Sequence, residues 1–210
     1  MYFLKMRKNT TKGKLITFCG LDGCGKTTMI NKLVAELQKE HTVFQTKQPT
    51  DFVRNSDIFR TYMDFPDHSK YDYRSLSLLA ASDRVQHTNR VIAEHLEQGN
   101  IVISDRYFYS CLANLIARGY ENDRWIYEIA ESIIMPDIAF FLDVPVETAV
   151  KRVRERPNEK ERYVDIKLQY KLRDEYRTIC EANGCVLISS LQPINDTYKI
   201  IKQTTERILK

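Results

Sequence analysis

Eight consecutive residues, Gly20, Leu21, Asp22, Gly23, Cys24, Gly25, Lys26 and Thr27, place flexible backbone, one amine and one hydroxyl in the spacing G-x-x-x-x-G-K-[ST]. Glycines so spaced let a loop wrap tightly, and successive backbone N–H groups can then point inward at phosphate oxygens. The spacing carries this meaning only between a strand and a helix. Here an apolar run from Leu15 to Phe18 precedes it and a helical pattern opens at Lys26. A helix N-terminus adds its own partial positive charge to such a cradle. Lys26 is the residue to reach the β- and γ-phosphates of ATP, and Thr27 the one to give a hydroxyl to Mg²⁺. Residues 20–28, Thr28 included, are the candidate ATP-binding segment. Cys24 reads as a small filler of the loop, since nothing near it in sequence would activate a thiolate.

A second cluster stands at the end of another apolar run, where "NIVISDRYFYS" carries Asp105 and Arg106 side by side. A carboxylate at a strand end can order magnesium or its water, and a guanidinium can fork onto phosphate. The bland alternative is an ion pair that caps a turn. Upstream, "AASDRVQH" puts Arg84 on a helical pattern near His87 and Thr88, where it is either a solvated face residue or a further phosphate or base contact.

These residues must be carried by a scaffold, and strand and helix patterns alternate along the whole chain. Short β-rich apolar runs at 15–18, 42–46, 101–104, 138–142 and 186–189 predict five strands of a parallel sheet buried on both faces. Helical patterns fall at 26–39, 75–98, 110–118, 122–134, 146–154, 165–183 and 195–209. The alternation predicts an α/β fold, a three-layer doubly wound domain with a five-stranded parallel sheet. With 210 residues and no repeat, low-complexity tract or Gly/Ser linker, one domain spanning 1–210 is expected. Residues 47–74 show no firm period, and 155–164, "ERPNEKERYV", read as a charged, exposed and mobile loop between two helices.

Composition narrows the partners. A formal charge of +4 is spread along the chain without the basic patch that a nucleic-acid binder concentrates, so no nucleic-acid partner is expected. Cys19, Cys24, Cys111, Cys180 and Cys185 are odd in number and lack a C-x-x-C pair, which argues against a disulfide framework and a zinc site and for a reducing cytoplasm. His41, His68, His87 and His95 share no metal-ligand spacing. The opening "MYFLKMRKNTTKGK" is too short in apolar residues for a signal peptide, and no run reaches the length of a membrane helix.

Taken together, "LITFCGLDGCGKTT", "AASDRVQHTNRVIAEHLEQGNIVISDRYFYSCLA", "MPDIAFFLDVPVETAVKRVRER" and the helix beginning after Tyr163 resemble thymidylate kinase, in order and spacing, over nearly the whole chain. The resemblance implies a P-loop nucleoside monophosphate kinase that transfers the γ-phosphoryl of MgATP to dTMP, closes a mobile lid at about 154–164, and is a homodimer built through the helices at 75–98 and 110–118. It implies that Asp22 faces the acceptor's sugar hydroxyl and that Lys26 and Thr27 hold the donor phosphates and Mg²⁺. Asp105 would sit near the metal, Arg106 would clasp the acceptor phosphate, and Arg84 would join that clasp or reach the base. Ser110 would line the acceptor site. The family keeps its transition-state arginine either in the loop or in the lid. Gly23 occupies the loop position here, so the lid must supply it, from Arg154, Arg156 or Arg162, with Lys160 adding charge.

Departures from the family pattern gather in the acceptor pocket. Lys47-Gln48-Pro49 stands where Arg-Glu-Pro is usual, and Arg54 follows closely enough to replace the lost guanidinium. Ala80 stands where an aromatic usually stacks on thymine, and Asn114-Leu115 where Tyr-Gln is usual; Tyr71, Tyr73, Phe108 and Tyr109 are aromatics near enough in sequence to fill the gap. Two other functions compete. One is a kinase for another pyrimidine nucleotide or a deoxynucleoside, against which stands Cys19 at the position where deoxynucleoside kinases carry a basic glutamate. The other is a nucleotide-binding regulatory protein without catalysis.

Overall fold

A computed structural model describes residues 2–209. The apolar runs become strands because only a sheet interior can hide them. Leu15, Ile16, Phe18 and Cys19 of β1 (Lys14–Cys19) are fully buried, and β1 lies at the centre of the sheet. Around it run β2 (Val43–Lys47), β3 (Ile101–Asp105), β4 (Ile138–Asp143) and β5 (Val186–Ser189), all parallel, in the order β2-β3-β1-β4-β5. The register sets Phe18 opposite Asp105 and Asp105 opposite Lys47, so the ends of three strands share one edge. The chain order reverses between β1 and β3, and ligands of open α/β sheets bind outside the strand ends at such a switch point. The central strands are buried on both faces as expected, whereas β2 and β5 are only partly covered because they form the sheet edges.

The helices are α1 (Lys26–Leu37), α2 (Asp51–Arg54), α3 (Asp57–Asp64), α4 (Tyr73–His87), α5 (Ala93–Glu97), α6 (Phe108–Ala117), α7 (Trp125–Ala130), α8 (Val146–Arg154), α9 (Ile166–Ala182) and α10 (Ile194–Leu209). Packing of α1 with α10, and of α6 with α4 and α9, gives the two helical layers. One contiguous apolar cluster joins strands and helices, from Leu4 to Ile201. Three elements differ from the periodicity. Within residues 47–74, 51–54 and 57–64 form the short helices α2 and α3. The helix expected at 122–134 shrinks to α7. The long helix at 75–98 is interrupted by one wide turn, Thr88–Ile92, between α4 and α5. Among the described residues no helix is long and apolar enough to cross a membrane.

Candidate active site

The loop between β1 and α1 is shaped by two close approaches. At Gly23, with φ +84°, a Cβ would come within 2.1 Å of the Ala149 carbonyl oxygen on α8; at Gly20, with φ +133°, one would lie 2.5 Å from that of Leu142. Side chains are excluded at both positions, and an arginine cannot stand at 23. Among the described residues no side chain caps α1, whose preceding Gly25 is left-handed, so its first amides are left without a side-chain acceptor. Lys26 is buried and folded back, its Nζ donating to the carbonyls of Leu21 at 2.8 Å and Gly20 at 3.1 Å and lying 3.5 Å from Cys24 Sγ. Thr27 and Thr28 are exposed at the helix start. Leu21 and Cys24 are buried beneath the loop.

Asp22, at the crest of that loop, is the electrostatic centre. Its Oδ1 accepts from Arg106 Nη2 at 2.5 Å and its Oδ2 from Arg162 Nη2 at 2.7 Å. Burial alone would raise its pKa, but the charges of Arg106, Lys26 and Arg162 overcome this and hold the carboxyl well below the usual carboxylate range. Arg106 is the only non-glycine residue with positive φ among those described, at 65°. Backbone there is strained for a side-chain-bearing residue. It is held by its N–H donating to the Phe18 carbonyl at 2.8 Å and by the Ser104 hydroxyl donating to its own carbonyl at 2.7 Å. This bend turns the guanidinium toward the loop, where Nη1 also donates to the Tyr176 hydroxyl on α9 at 3.0 Å. Burial opposes the charge on Arg106, yet Tyr176, Asp22 and Asp105 keep its pKa well above the ordinary value.

Beside it, Asp105 presents a buried Oδ1 with no hydrogen-bond partner among the described residues. An orphaned carboxylate oxygen there fits Mg²⁺ or its water, and the exposed Thr27 hydroxyl offers a second oxygen. Among the described residues no group of three or more His, Cys, Asp or Glu side chains could hold a metal.

Arg54 and Arg84 complete a basic wall. Arg54 Nε donates to the Pro49 carbonyl at 2.7 Å, and its pKa is lowered by burial first and then by neighbouring Arg106 and Arg84. Arg84 is buried, with Nη1 donating to the Ala80 carbonyl at 2.9 Å and Nε without a partner among the described residues. Lys47 turns away, pairing with Asp51 at 2.7 Å on the surface. Two other expected acceptor residues, Ser110 and Asn114, have local work instead, and Leu115 beside them belongs to the core. The Ser110 hydroxyl donates to Cys19 Sγ at 3.8 Å inside the core, Leu115 is fully buried, and Asn114 bonds Arg118 and the Ser110 carbonyl. Ala80 lines the same helix face as Arg84.

Of the three arginines expected in a lid, Arg162 alone, in the loop after α8, touches the loop that follows β1. Arg156 pairs with Glu159 at 3.1 Å, Arg162 also reaches Glu159 at 3.5 Å, and Arg154 is exposed. The segment is therefore not a freely solvated loop throughout. Sequence reasoning missed two contacts. Arg152 donates to the Gly23 carbonyl at 3.4 Å and to the Ser190 carbonyl at 3.1 Å, and Tyr176 buttresses Arg106; neither has a local spacing that announces it.

Comparison with known proteins follows the same outline. The thymidylate kinase family model matches residues 18–201. The chain is 35% identical over 195 residues to the probable thymidylate kinase of Pyrococcus horikoshii, covering 90% of this chain and 94% of that relative. Similarity to the probable thymidylate kinase of Thermococcus kodakarensis is 37% over 198 residues, covering 90% and 96%. With the thymidylate kinase of onion yellows phytoplasma it is 30% over 204 residues, covering 93% and 98%. A family match over most of the chain, on this sheet order and this loop, leads to one statement: the chain belongs to the thymidylate kinase family.

Proposed function

We propose that the protein transfers the γ-phosphoryl group of MgATP to dTMP, giving dTDP and ADP. The observation that carries this reading is Asp22, held between Arg106 and Arg162, because it joins donor loop, acceptor wall and lid through one carboxylate. An acceptor phosphate oxygen attacks the γ-phosphorus while its bond to the β–γ bridging oxygen breaks and ADP leaves. That oxygen is already anionic and needs no base. Gly20 to Thr28 cradle the donor phosphates with backbone amides, and Lys26 leaves the loop carbonyls to meet them. Arg106, with Arg54 and Arg84 behind it, orients the acceptor phosphate. Asp22 faces the sugar, and Arg162 neutralises charge on the transferring group from a lid at about 154–164. Thr27 and Asp105 would hold Mg²⁺, which when bound neutralises the donor phosphate oxygens.

A deoxynucleoside acceptor would need a base at the end of β1 to take its hydroxyl proton. Cys19 stands there fully buried, its thiol pushed up to about 11 chiefly by burial, which speaks against that alternative. Family resemblance further supports a homodimer, for which exposed Leu78 on α4 offers apolar surface, and a cytoplasmic setting is supported by five free cysteines. The test is product analysis by ³¹P NMR after mixing protein, MgATP and dTMP. Equimolar dTDP and ADP are expected, and none from Lys26→Ala that keeps the wild-type circular dichroism. A fully active Lys26→Ala protein would overturn the loop assignment.

A further inference from the structure

With Lys47 turned to the surface and paired with Asp51, Arg54 is the cation that the segment after β2 keeps close to the strand ends. That segment is tied to the Asp105–Arg106 edge, because the Gln48 N–H donates to the Asp105 carbonyl at 2.9 Å. Arg54 closes α2 and has two tethers. Its backbone N–H donates to the Thr50 carbonyl at 3.0 Å, and its Nε to the Pro49 carbonyl at 2.7 Å. Both tethers therefore lie on one dipeptide, and α4 grips that dipeptide from behind. Asp83 accepts the Thr50 N–H on Oδ2 at 2.8 Å and the Thr50 hydroxyl on Oδ1. One turn further along α4, the His87 ring meets Thr46 Oγ1 at 3.0 Å and Gln48 Nε2 at 3.1 Å. Thr46, Gln48 and Thr50 alternate and so share one face of an extended chain, while Asp83 and His87 stand four apart and so share one face of a helix.

Thr50 is the N-cap of α2, where a threonine hydroxyl ordinarily serves the amides of its own helix; here it serves Asp83 instead. Asp83 is buried, and the adjacent Arg84 turns its Nη1 to the Ala80 carbonyl. Among the described residues, Thr50 supplies both hydrogen bonds that the Asp83 carboxylate accepts. A buried carboxylate with so few donors holds each of them firmly, since losing one leaves its charge uncompensated.

We infer that Asp83 is a positioning residue for the acceptor phosphate: by gripping Thr50 it fixes the dipeptide on which Arg54 hangs, and Arg54 makes the phosphate contact that Lys47 forgoes. The inference rests on the functional reading above. Asp83 touches no reacting group and acts only through Arg54, so its removal weakens acceptor binding and leaves the donor loop as it was.

The test is a double-mutant cycle in steady-state kinetics with MgATP and dTMP, run on wild type, Asp83→Ala, Arg54→Ala and the double variant, with melting temperatures recorded for all. Each single variant is expected to raise the KM for dTMP roughly tenfold, with kcat within about threefold and the KM for ATP unmoved. The double variant should be no worse than Arg54→Ala alone, because the grip has nothing left to position. Asp83→Asn keeps an oxygen for the Thr50 N–H and an amide that can donate to its hydroxyl, and should recover the KM for dTMP to within about threefold of wild type. An unchanged KM for dTMP in either single variant, effects that multiply in the double variant, or an equal rise in the KM for ATP would overturn the inference. If Asp83→Ala does not fold, Thr50→Val removes the hydroxyl alone and takes its place in the cycle, with the same outcomes deciding. A wild-type protein that does not phosphorylate dTMP would instead overturn the functional reading beneath it.

Discussion

Asp22 and Arg106 meet at 2.5 Å although 84 residues separate them, and the contact exists because Arg106 adopts a left-handed backbone at the end of β3. Asp22→Asn removes the carboxylate charge that the Arg106 and Arg162 guanidinium groups both meet. Hydrogen bonds to charged groups contribute about 1.5–3 kcal/mol, so kcat/KM for dTMP should fall about a hundredfold. Arg106→Lys keeps the charge and loses the fork to Tyr176, and it should raise the KM for dTMP more than it lowers kcat. Equal kinetics in wild type and Asp22→Asn would remove Asp22 from the site.

The arginines of the proposed lid are distinguished by their partners. Arg162 reaches the phosphate loop, whereas Arg156 is occupied by Glu159. Arg162→Ala is predicted to lower kcat by about a hundredfold or more. Arg154→Ala and Arg156→Ala should remain within about threefold of wild type, as exposed charges generally contribute little. Single-turnover rates for the three variants decide the matter, and a dominant loss in Arg156→Ala would move the role.

Gly23 tests the loop's fit against α8. Its φ of +84° and the 2.1 Å approach to Ala149 leave no room for a methyl group. Gly23→Ala should cost about 2 kcal/mol or more of stability, read from urea unfolding, and reduce ATP binding with it.

His87 predicts a pH dependence. Its ring bridges Thr46 at 3.0 Å and Gln48 at 3.1 Å, and burial lowers its pKa despite the opposing charge of Asp83. The unfolded chain therefore takes up a proton near pH 6.5, before the folded one does, and stability falls as pH drops below that value. Melting temperatures from pH 8 to 5 should show this decline in wild type and a flatter one in His87→Gln; identical slopes would count against a buried neutral histidine.

Much of this arrangement was legible in the sequence. The five strands fall within one residue of their apolar runs, because a sheet core demands continuous apolar segments, and the loop spacing and the Asp105-Arg106 pair mark the switch point. What stayed hidden depends on contacts between distant segments. Nothing local tells Ser110 to face Cys19, or Arg162 rather than Arg156 to meet Asp22. The helices at 51–64 were illegible because they are only four and eight residues long, too short for a helical period to stand out, and the first leaves Phe52 exposed.

The most direct measurement is coupled ADP release with MgATP and a panel of dTMP, dUMP, UMP, CMP, dCMP and thymidine, against an ATP-only blank. Turnover well above the blank with dTMP, and the highest kcat/KM among the six, is the predicted result. A different leading acceptor, or no acceptor-dependent release from a protein that binds ATP, would contradict the assignment to dTMP.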